Sequence, residues 1–150
     1  MDNLQDAVKG GRDAMSAKEY LSRAYRVDQR INKKLEQVAS LRELASKATS
    51  TYRDSPTNNA HDIRAREKII ARIVDLENEI NRDIDILITL KKEITDVIRH
   101  EKNPEHQMLL EFRYLCFIPW EEISIEMGYS LRHVTRLHNQ ALASVHTKMS

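Results

Sequence analysis

Apolar residues recur every three or four positions along two long segments of the chain. An α-helix has 3.6 residues per turn, so this spacing places the apolar side chains of each segment on one helical face. Each segment exceeds 30 residues, which corresponds to roughly 50 Å of helix. The first stripe contains Leu21, Ala24, Val27, Ile31, Leu35, Val38, Leu41, Ala45 and Ala48. The second contains Ile63, Ile69, Ile70, Ile73, Leu76, Ile80, Ile84, Leu87, Ile94 and Val97.

A short polar stretch separates the two stripes and predicts a loop at about residues 50–61. Its centre reads Asp54-Ser55-Pro56-Thr57-Asn58-Asn59, and such residues favour turns over regular structure. Two long helices joined by one short loop are typical of an antiparallel coiled-coil hairpin, which we expect over residues 16–102. Cations outnumber acids in the first helix, and acids outnumber cations in the second. The predicted seam of the hairpin consists of Ile31, Leu35, Val38, Ile73, Ile80, Ile84 and Leu87.

The first ordered helix is predicted to begin at Ser16. Ser16 and Glu19 have the spacing of a capping box, in which the serine hydroxyl accepts a backbone N–H at the start of a helix. The pair Gly10-Gly11 disfavours a helix before this point because glycine loses the most backbone freedom on ordering. Residues 1–15 are therefore expected to form a flexible leader.

The pattern changes at Asn103-Pro104-Glu105, where asparagine is a suitable N-cap and proline fits the first helical position. A short apolar helix is expected after this point, then a break at Pro119, a helix over 120–127, a left-handed cap at Gly128 and a final helix over 131–146. Two helices joined by a short glycine-containing turn predict a helix-turn-helix domain over residues 103–150. Its expected core comprises Leu115, Trp120, Ile123, Met127, Gly128, Val134, Leu137 and Ala141.

The final helix carries the residues that predict a function. The sequence has no carboxylate between Ser130 and Ser150, whereas the preceding helices contain several glutamates. A helix that approaches phosphates needs cations and amides on its outer face. Arg132 and Arg136 are four residues apart and so point the same way, and an arginine can donate two hydrogen bonds to guanine. Double-stranded DNA is therefore the expected partner.

The C-terminal segment resembles the region-four helix-turn-helix of bacterial sigma factors. The residues that carry the resemblance are Arg113-Tyr114-Leu115, Trp120-Glu121-Glu122-Ile123, Met127-Gly128-Tyr129-Ser130, Val134 and Arg136-Leu137-His138-Asn139-Gln140-Ala141-Leu142. Together with the hairpin, the chain is similar to small helical proteins of phages and mobile elements of Gram-positive bacteria, which are described as a domain of unknown function or as transcriptional regulators akin to ArpU and RinA.

The resemblance implies a role for individual residues of the final helix. It implies that Arg132, Thr135 and Arg136 lie at base edges, and that Ser130, His133, Asn139 and Gln140 lie nearer phosphates. One departure is the pair Ile118-Pro119 before Trp120, where such helices often carry Ser or Thr. A side-chain cap is lost at that helix start.

Composition and spacing argue against an enzyme, a metal site and a membrane protein. The chain has 150 residues, a formal net charge of +1, three glycines and one cysteine, Cys116. None of the six histidines has a histidine four residues away, and no glycine-rich phosphate loop or nucleophile elbow is present. We expect no catalytic residue, no cofactor and no metal, no association with a membrane, and a location in the cytoplasm of a bacterial host.

The hairpin has more apolar surface on its second helix than one partner helix covers. This excess favours a homo-oligomer, with a dimer preferred, or contact with host RNA polymerase. Two other functions remain open for the sequence. One is a protein–protein adaptor such as an anti-sigma or phage assembly factor, and the other is a small-terminase-like packaging protein.

Overall fold

The computed structural model describes residues 15–54 and 59–149, and it is all-helical over these residues. The helices are α1 (Ala17–Leu21), α2 (Arg23–Asp54), α3 (Asn59–Arg99), α4 (Pro104–Tyr114), α5 (Trp120–Met127) and α6 (Leu131–Met149). The described residues contain no strand, which confirms the predicted all-α class. No described helix has an apolar stretch of the length and hydropathy that a membrane crossing requires.

Helix ends follow the local chemistry of the sequence. The Ser16 hydroxyl accepts the backbone N–H of Glu19 at 3.2 Å, and the Asn103 side chain accepts that of Glu105 at 2.9 Å. Both N-caps were predicted. After α1 the Ser22 hydroxyl donates to the carbonyl of Lys18 at 2.6 Å, and α2 begins at the next residue. A serine side chain that bonds to the backbone in this way competes with the regular helix.

The predicted loop at about residues 50–61 is too wide. Helix α2 continues to Asp54 and α3 begins at Asn59, so residues 50–54 and 59–61 are helical. The individual helix propensities of Ser, Thr and Tyr differ from that of alanine by only tenths of a kcal/mol, and such a small cost does not end a long helix. The leader was predicted at residues 1–15. Of these, only Met15 belongs to the described residues, and its side chain is exposed. Residues 55–58 of the predicted loop also lie outside the described residues.

The chain divides into two compact units. One comprises Met1–Arg26 and Thr89–Ser150, which we call the terminal unit, and the other is Val27–Ile88, the central unit. These limits differ from the division predicted at residue 103, because α1 and the last turns of α3 belong with α4, α5 and α6.

In the central unit, α2 and α3 run in opposite directions. Arg30 pairs with Asp83 at 2.9 Å, while Arg42, which lies later on α2, pairs with Glu77, which lies earlier on α3, at 2.6 Å. The buried residues of the two helices form what we call the inner seam. It contains Val27, Ile31, Lys34 and Val38 on α2, and Ile73, Leu76, Ile80, Asp83 and Leu87 on α3, of which Lys34, Ile73 and Leu87 are half-buried.

The prediction of the seam is wrong for two of its seven residues, which are exposed. Leu35 is 49% exposed and Ile84 is 39% exposed, whereas Ile31, Val38 and Ile80 are buried and Ile73 and Leu87 are half-buried. The alternation of three- and four-residue steps along the inner seam passes through Lys34 and Asp83 instead. These two residues are charged, so an apolar pattern skips them and selects the apolar neighbour one position later.

In the terminal unit, α6 packs against α1, α4 and α5. Its core is built from Leu21, Ile94, Ile98, Leu109, Leu110, Tyr114, Ile123, Val134, Leu137, Ala141 and Val145. Of the predicted core, Ile123, Val134, Leu137 and Ala141 are buried.

The other predicted core residues occupy different positions. Leu115, Trp120 and Met127 are only half-buried, and Gly128 is exposed. The Arg113 guanidinium lies 4.5 Å from the centre of the Trp120 ring, so a charged group covers one side of this indole. A Cβ atom at Gly128 would have no other atom within 4 Å, so close packing does not require glycine here. The left-handed backbone conformation of this residue favours it instead.

Candidate nucleic-acid interface

The turn between α5 and α6 fixes where α6 begins. Gly128 adopts a left-handed conformation with φ of 71°, and its N–H donates to the carbonyl of Ile125 at 3.2 Å. Ser130 then caps α6, because its hydroxyl accepts the backbone N–H of His133 at 3.2 Å. The glycine cap and the serine cap were both predicted, and they set the direction in which α6 leaves the turn.

Tyr129 holds this turn against α4. Its hydroxyl donates to the Glu105 carboxylate, and its backbone carbonyl accepts a hydrogen bond from the Ser124 hydroxyl. The hydrogen bond to Glu105 raises the pKa of Tyr129 above its ordinary value, which keeps the hydroxyl protonated. The Tyr129 side chain therefore has a structural partner within the chain.

Helix α6 has two chemically different sides. Its buried side carries Val134, Leu137, His138, Ala141 and Val145. Arg132, Arg136, Asn139 and Gln140 are exposed. Steps of four and three residues separate Arg132, Arg136 and Asn139, so these three side chains share one side of the helix.

The two arginines are free to meet a ligand. Neither guanidinium makes a hydrogen bond or an ion pair with any residue that the structure describes. Acidic residues do not neutralise them on their own helix, because α6 contains none. Arg132 and Arg136 therefore leave two unpaired cations, four residues apart, on an exposed helix surface.

Three of the other predicted contact residues are already engaged. The Thr135 hydroxyl donates to the carbonyl of Leu131 at 2.9 Å, and the Ser130 hydroxyl caps the helix. His133 is half-buried, with its ring 4.4 Å from that of Tyr129 in an edge-to-face arrangement. The structure thus brings Arg132, Arg136 and Asn139 together, and it gives Ser130 a role in forming the helix.

A groove of about 520 Å³ runs along the flank of α6 that carries Thr135 and Asn139. Two cationic residues from other helices border it, Lys18 of α1 and Arg113 of α4, and the carboxylate-bearing Glu121 of α5 borders it as well. Neither Lys18 nor Arg113 was predicted as a contact residue. The approach of α1 to α6 is a long-range contact, and the spacing of residues along the chain carries no signal for it.

A buried histidine sets how α6 sits against α4. His138 lies with its ring centre 4.5 Å from that of Trp120, and its Nε2 is 2.6 Å from the Tyr114 hydroxyl. Burial lowers the pKa of His138 to about 4, and the nearby charges of Lys18 and Arg113 act in the same direction. Burial raises the pKa of Tyr114 to about 12. The phenol is therefore protonated and donates to Nε2 of a neutral imidazole.

The C-terminal part of α6 is held by a second buried polar group, Glu101. Its carboxylate accepts a hydrogen bond from the Ser144 hydroxyl at 3.0 Å, and the Lys148 ammonium lies 3.4 Å away. Burial opposes ionisation of Glu101, but the Ser144 hydrogen bond and the Lys148 charge outweigh it, so the pKa of this carboxyl is below its ordinary value. Glu101 and His138 were not predicted as core residues, because ionisable side chains are rarely expected inside.

The start of α5 differs chemically from the exposed side of α6. Pro119 is its N-cap and provides no side-chain hydrogen bond, as predicted, and Glu121 and Glu122 occupy the first turn. Carboxylates stabilise a helix N-terminus but repel phosphate. The start of α5 is therefore an unfavourable place for a phosphate group.

No family model, no curated protein and no solved structure matches this chain. The resemblance to sigma region four and to the ArpU- and RinA-like regulators stays a prediction.

Proposed function

We propose that this protein is a sequence-specific DNA-binding transcriptional regulator, with α4, α5 and α6 forming a helix-turn-helix domain. The final helix lies in the major groove of double-stranded DNA. Arg132 and Arg136 contact base edges, and Asn139 and Gln140 contact phosphates or bases nearby. The observation that carries the proposal is the exposed side of α6, where two unpaired arginines stand on a helix without carboxylates.

The surroundings of α6 support the same proposal. The helix is long enough to cross a groove, and its start is fixed by the glycine turn and the Ser130 cap. Lys18 and Arg113 outnumber the single carboxylate of the groove, Glu121, so the net charge beside the Asn139 flank favours a phosphate of the duplex backbone. The Thr135 hydroxyl donates to its own helix, so toward a base it can act as an acceptor, and its methyl group can contact a thymine methyl.

The proposal also includes the role of the α2–α3 hairpin and the setting in which the protein acts. The α2–α3 hairpin serves dimerisation or contact with host RNA polymerase, and the protein acts in the bacterial cytoplasm as a regulator of the phage or mobile-element type. The role of the hairpin follows from the excess apolar surface of its second helix, whereas the phage or mobile-element type is implied only by the resemblance. The geometry of α6 is independent of both.

Selection from a random duplex library tests the proposal and does not require that the operator be known. Full-length protein is incubated with the library, and bound DNA is amplified and sequenced over several rounds. We expect enrichment of a short motif that contains guanines, with binding that weakens as salt rises. The Arg132→Ala/Arg136→Ala variant, folded as judged by circular dichroism, is expected to enrich no motif. Failure of the wild-type protein to enrich any sequence would contradict the proposal.

A further inference from the structure

Helix α3 carries a second apolar stripe that its own hairpin partner does not cover. Ile70, Val74, Ile84 and Ile88 are between 39% and 62% exposed. Together with Glu77 and Asn81 they are separated by alternating steps of four and three residues, so all six lie on one side of α3. We call these six residues the outer seam. A helix with two such seams can pack against two partners, and α2 covers only the inner seam.

Leu35 of α2 extends this surface. Arg42 pairs with Glu77 of the outer seam at 2.6 Å, so Arg42 lies on the outer-seam side of α2. Leu35 is seven residues, or two helical turns, before Arg42 and therefore points the same way. Because the two helices run in opposite directions, Leu35 lies near the level of Ile84, which is seven residues after Glu77. Leu35 and Ile84, the two predicted residues that the inner seam excludes, thus lie on the same side of the hairpin and at a similar level.

The outer seam has a symmetry that identifies its partner. Its positions are arranged symmetrically about position 79 of the chain. If a second copy of α3 lies antiparallel to the first with a two-fold axis at that position, then Ile70 faces Ile88 of the other copy and Val74 faces Ile84. Glu77 faces Asn81, whose amide can donate to the carboxylate. Every apolar residue of the seam meets an apolar residue, and every polar residue meets a polar one.

Charge at the margin of the seam does not select the register. The same two-fold axis places Glu67 opposite Lys91 of the second copy, which attract, and Arg66 opposite Lys92, which repel, so the register depends on the apolar pairs. A partner of a different sequence would need the same order of apolar and polar positions in reverse. A second copy of this chain supplies it without further requirement, and a closed two-fold interface uses the same patch on both protomers.

We propose that this protein is a homodimer in which the outer seams of two α3 helices pack antiparallel about position 79, forming a four-helix bundle with the two α2 helices. The interface is independent of DNA binding and holds whether or not α6 reads a sequence. It buries apolar side chains that otherwise remain in water, which is the force that drives association.

Light scattering coupled to size-exclusion chromatography tests the dimer with the full-length chain. We expect the wild type to have the mass of two chains, and the single variants Val74→Lys and Ile84→Glu to have the mass of one. Ile86→Lys is the matched control, because Ile86 is an exposed isoleucine of the same helix that lies off the outer seam. This variant is expected to remain dimeric. Circular dichroism confirms that each variant keeps its helical content.

The double variant Val74→Lys/Ile84→Glu tests the register. In the proposed dimer each new ammonium faces a new carboxylate of the other copy, so the double variant is expected to recover the mass of two chains. The proposal is overturned if the wild type is a monomer, if both single variants remain dimers, or if the double variant stays monomeric while folded. Any of these results leaves the DNA-binding proposal to be judged by its own selection experiment.

Discussion

A charged residue, Asp83, occupies a position of the inner seam where an apolar side chain is expected. Its carboxylate accepts hydrogen bonds from Arg30 at 2.9 Å and from Lys34 at 2.7 Å. Burial opposes ionisation, but these two cations outweigh it and hold the pKa of Asp83 below its ordinary value. Buried ion pairs are weak sources of net stability, yet removing one partner is costly because it leaves groups without their hydrogen bonds.

We expect Asp83→Asn to lower the free energy of unfolding by about 1–3 kcal/mol, since a neutral amide replaces the carboxylate between two cations. Urea unfolding followed by circular dichroism measures the change. Asp75→Asn is the matched control on the same helix, because Asp75 is exposed. Its effect is expected to stay within about 0.5 kcal/mol. Equal effects of the two substitutions would show that Asp83 has no special role.

The same carboxylate predicts a dependence of stability on pH. A pKa that is lower in the folded protein stabilises the folded state above the unfolded pKa, here 3.8, and this contribution is lost as pH falls through the folded pKa. The difference in unfolding free energy between wild type and Asp83→Asn should therefore be constant near neutral pH and shrink in strong acid. Urea titrations at a series of pH values measure it, and a difference that grows on acidification would be inconsistent with a lowered pKa.

His138 predicts a second pH effect in a different window. Its pKa falls from 6.5 to about 4 on folding because the imidazole is buried. Between these two pH values the histidine is protonated in the unfolded chain and neutral in the folded protein. Stability should decline as pH falls from about 6.5 to about 4, by at most about 3 kcal/mol, and this part of the decline should be absent in His138→Gln. His61→Gln, which alters an exposed histidine, serves as the control and should retain the decline.

At the scale of elements, the turn between α5 and α6 depends on one backbone conformation. Gly128 has φ of 71°, and a Cβ atom there would meet nothing within 4 Å, so substitution introduces backbone strain without a steric clash. Gly128→Ala is therefore expected to destabilise the terminal unit by about 1–2 kcal/mol. Gly128→Asn should cost less, because asparagine tolerates the left-handed region. Thermal unfolding of both variants measures this order, and an asparagine variant less stable than the alanine variant would contradict it.

Elements are the part of this fold that the sequence predicts best. The caps at Ser16, Asn103, Gly128 and Ser130 involve residues only a few positions apart, so their chemistry is visible in the chain itself. The inner seam is predicted less well because Lys34 and Asp83 stand at two of its positions. Their opposite charges satisfy each other across the seam, and a search for apolar residues finds Leu35 and Ile84 instead.

At the scale of the whole molecule, the contacts between distant segments are the part that the sequence does not predict. The burial of His138 depends on Tyr114 and Trp120, and the position of Lys18 beside α6 depends on the packing of α1. Each of these two contacts joins residues that are far apart in the chain, and the periodicity of a sequence does not predict such contacts. The exposed side of α6 is different: Arg132 and Arg136 follow from helical spacing alone, and the structure leaves them exposed as the pattern requires.

Guanine methylation interference shows whether Arg132 and Arg136 read guanines in the major groove of a duplex. Methylation at N7 blocks the acceptor that an arginine uses. With a selected duplex, wild-type protein should lose binding when either of two contacted guanines is methylated, whereas Arg136→Ala should become insensitive at one of them and bind about 1–3 kcal/mol more weakly. Arg132→Ala should become insensitive at the other guanine for the same reason. An interference pattern identical in wild type and both variants would contradict the claim.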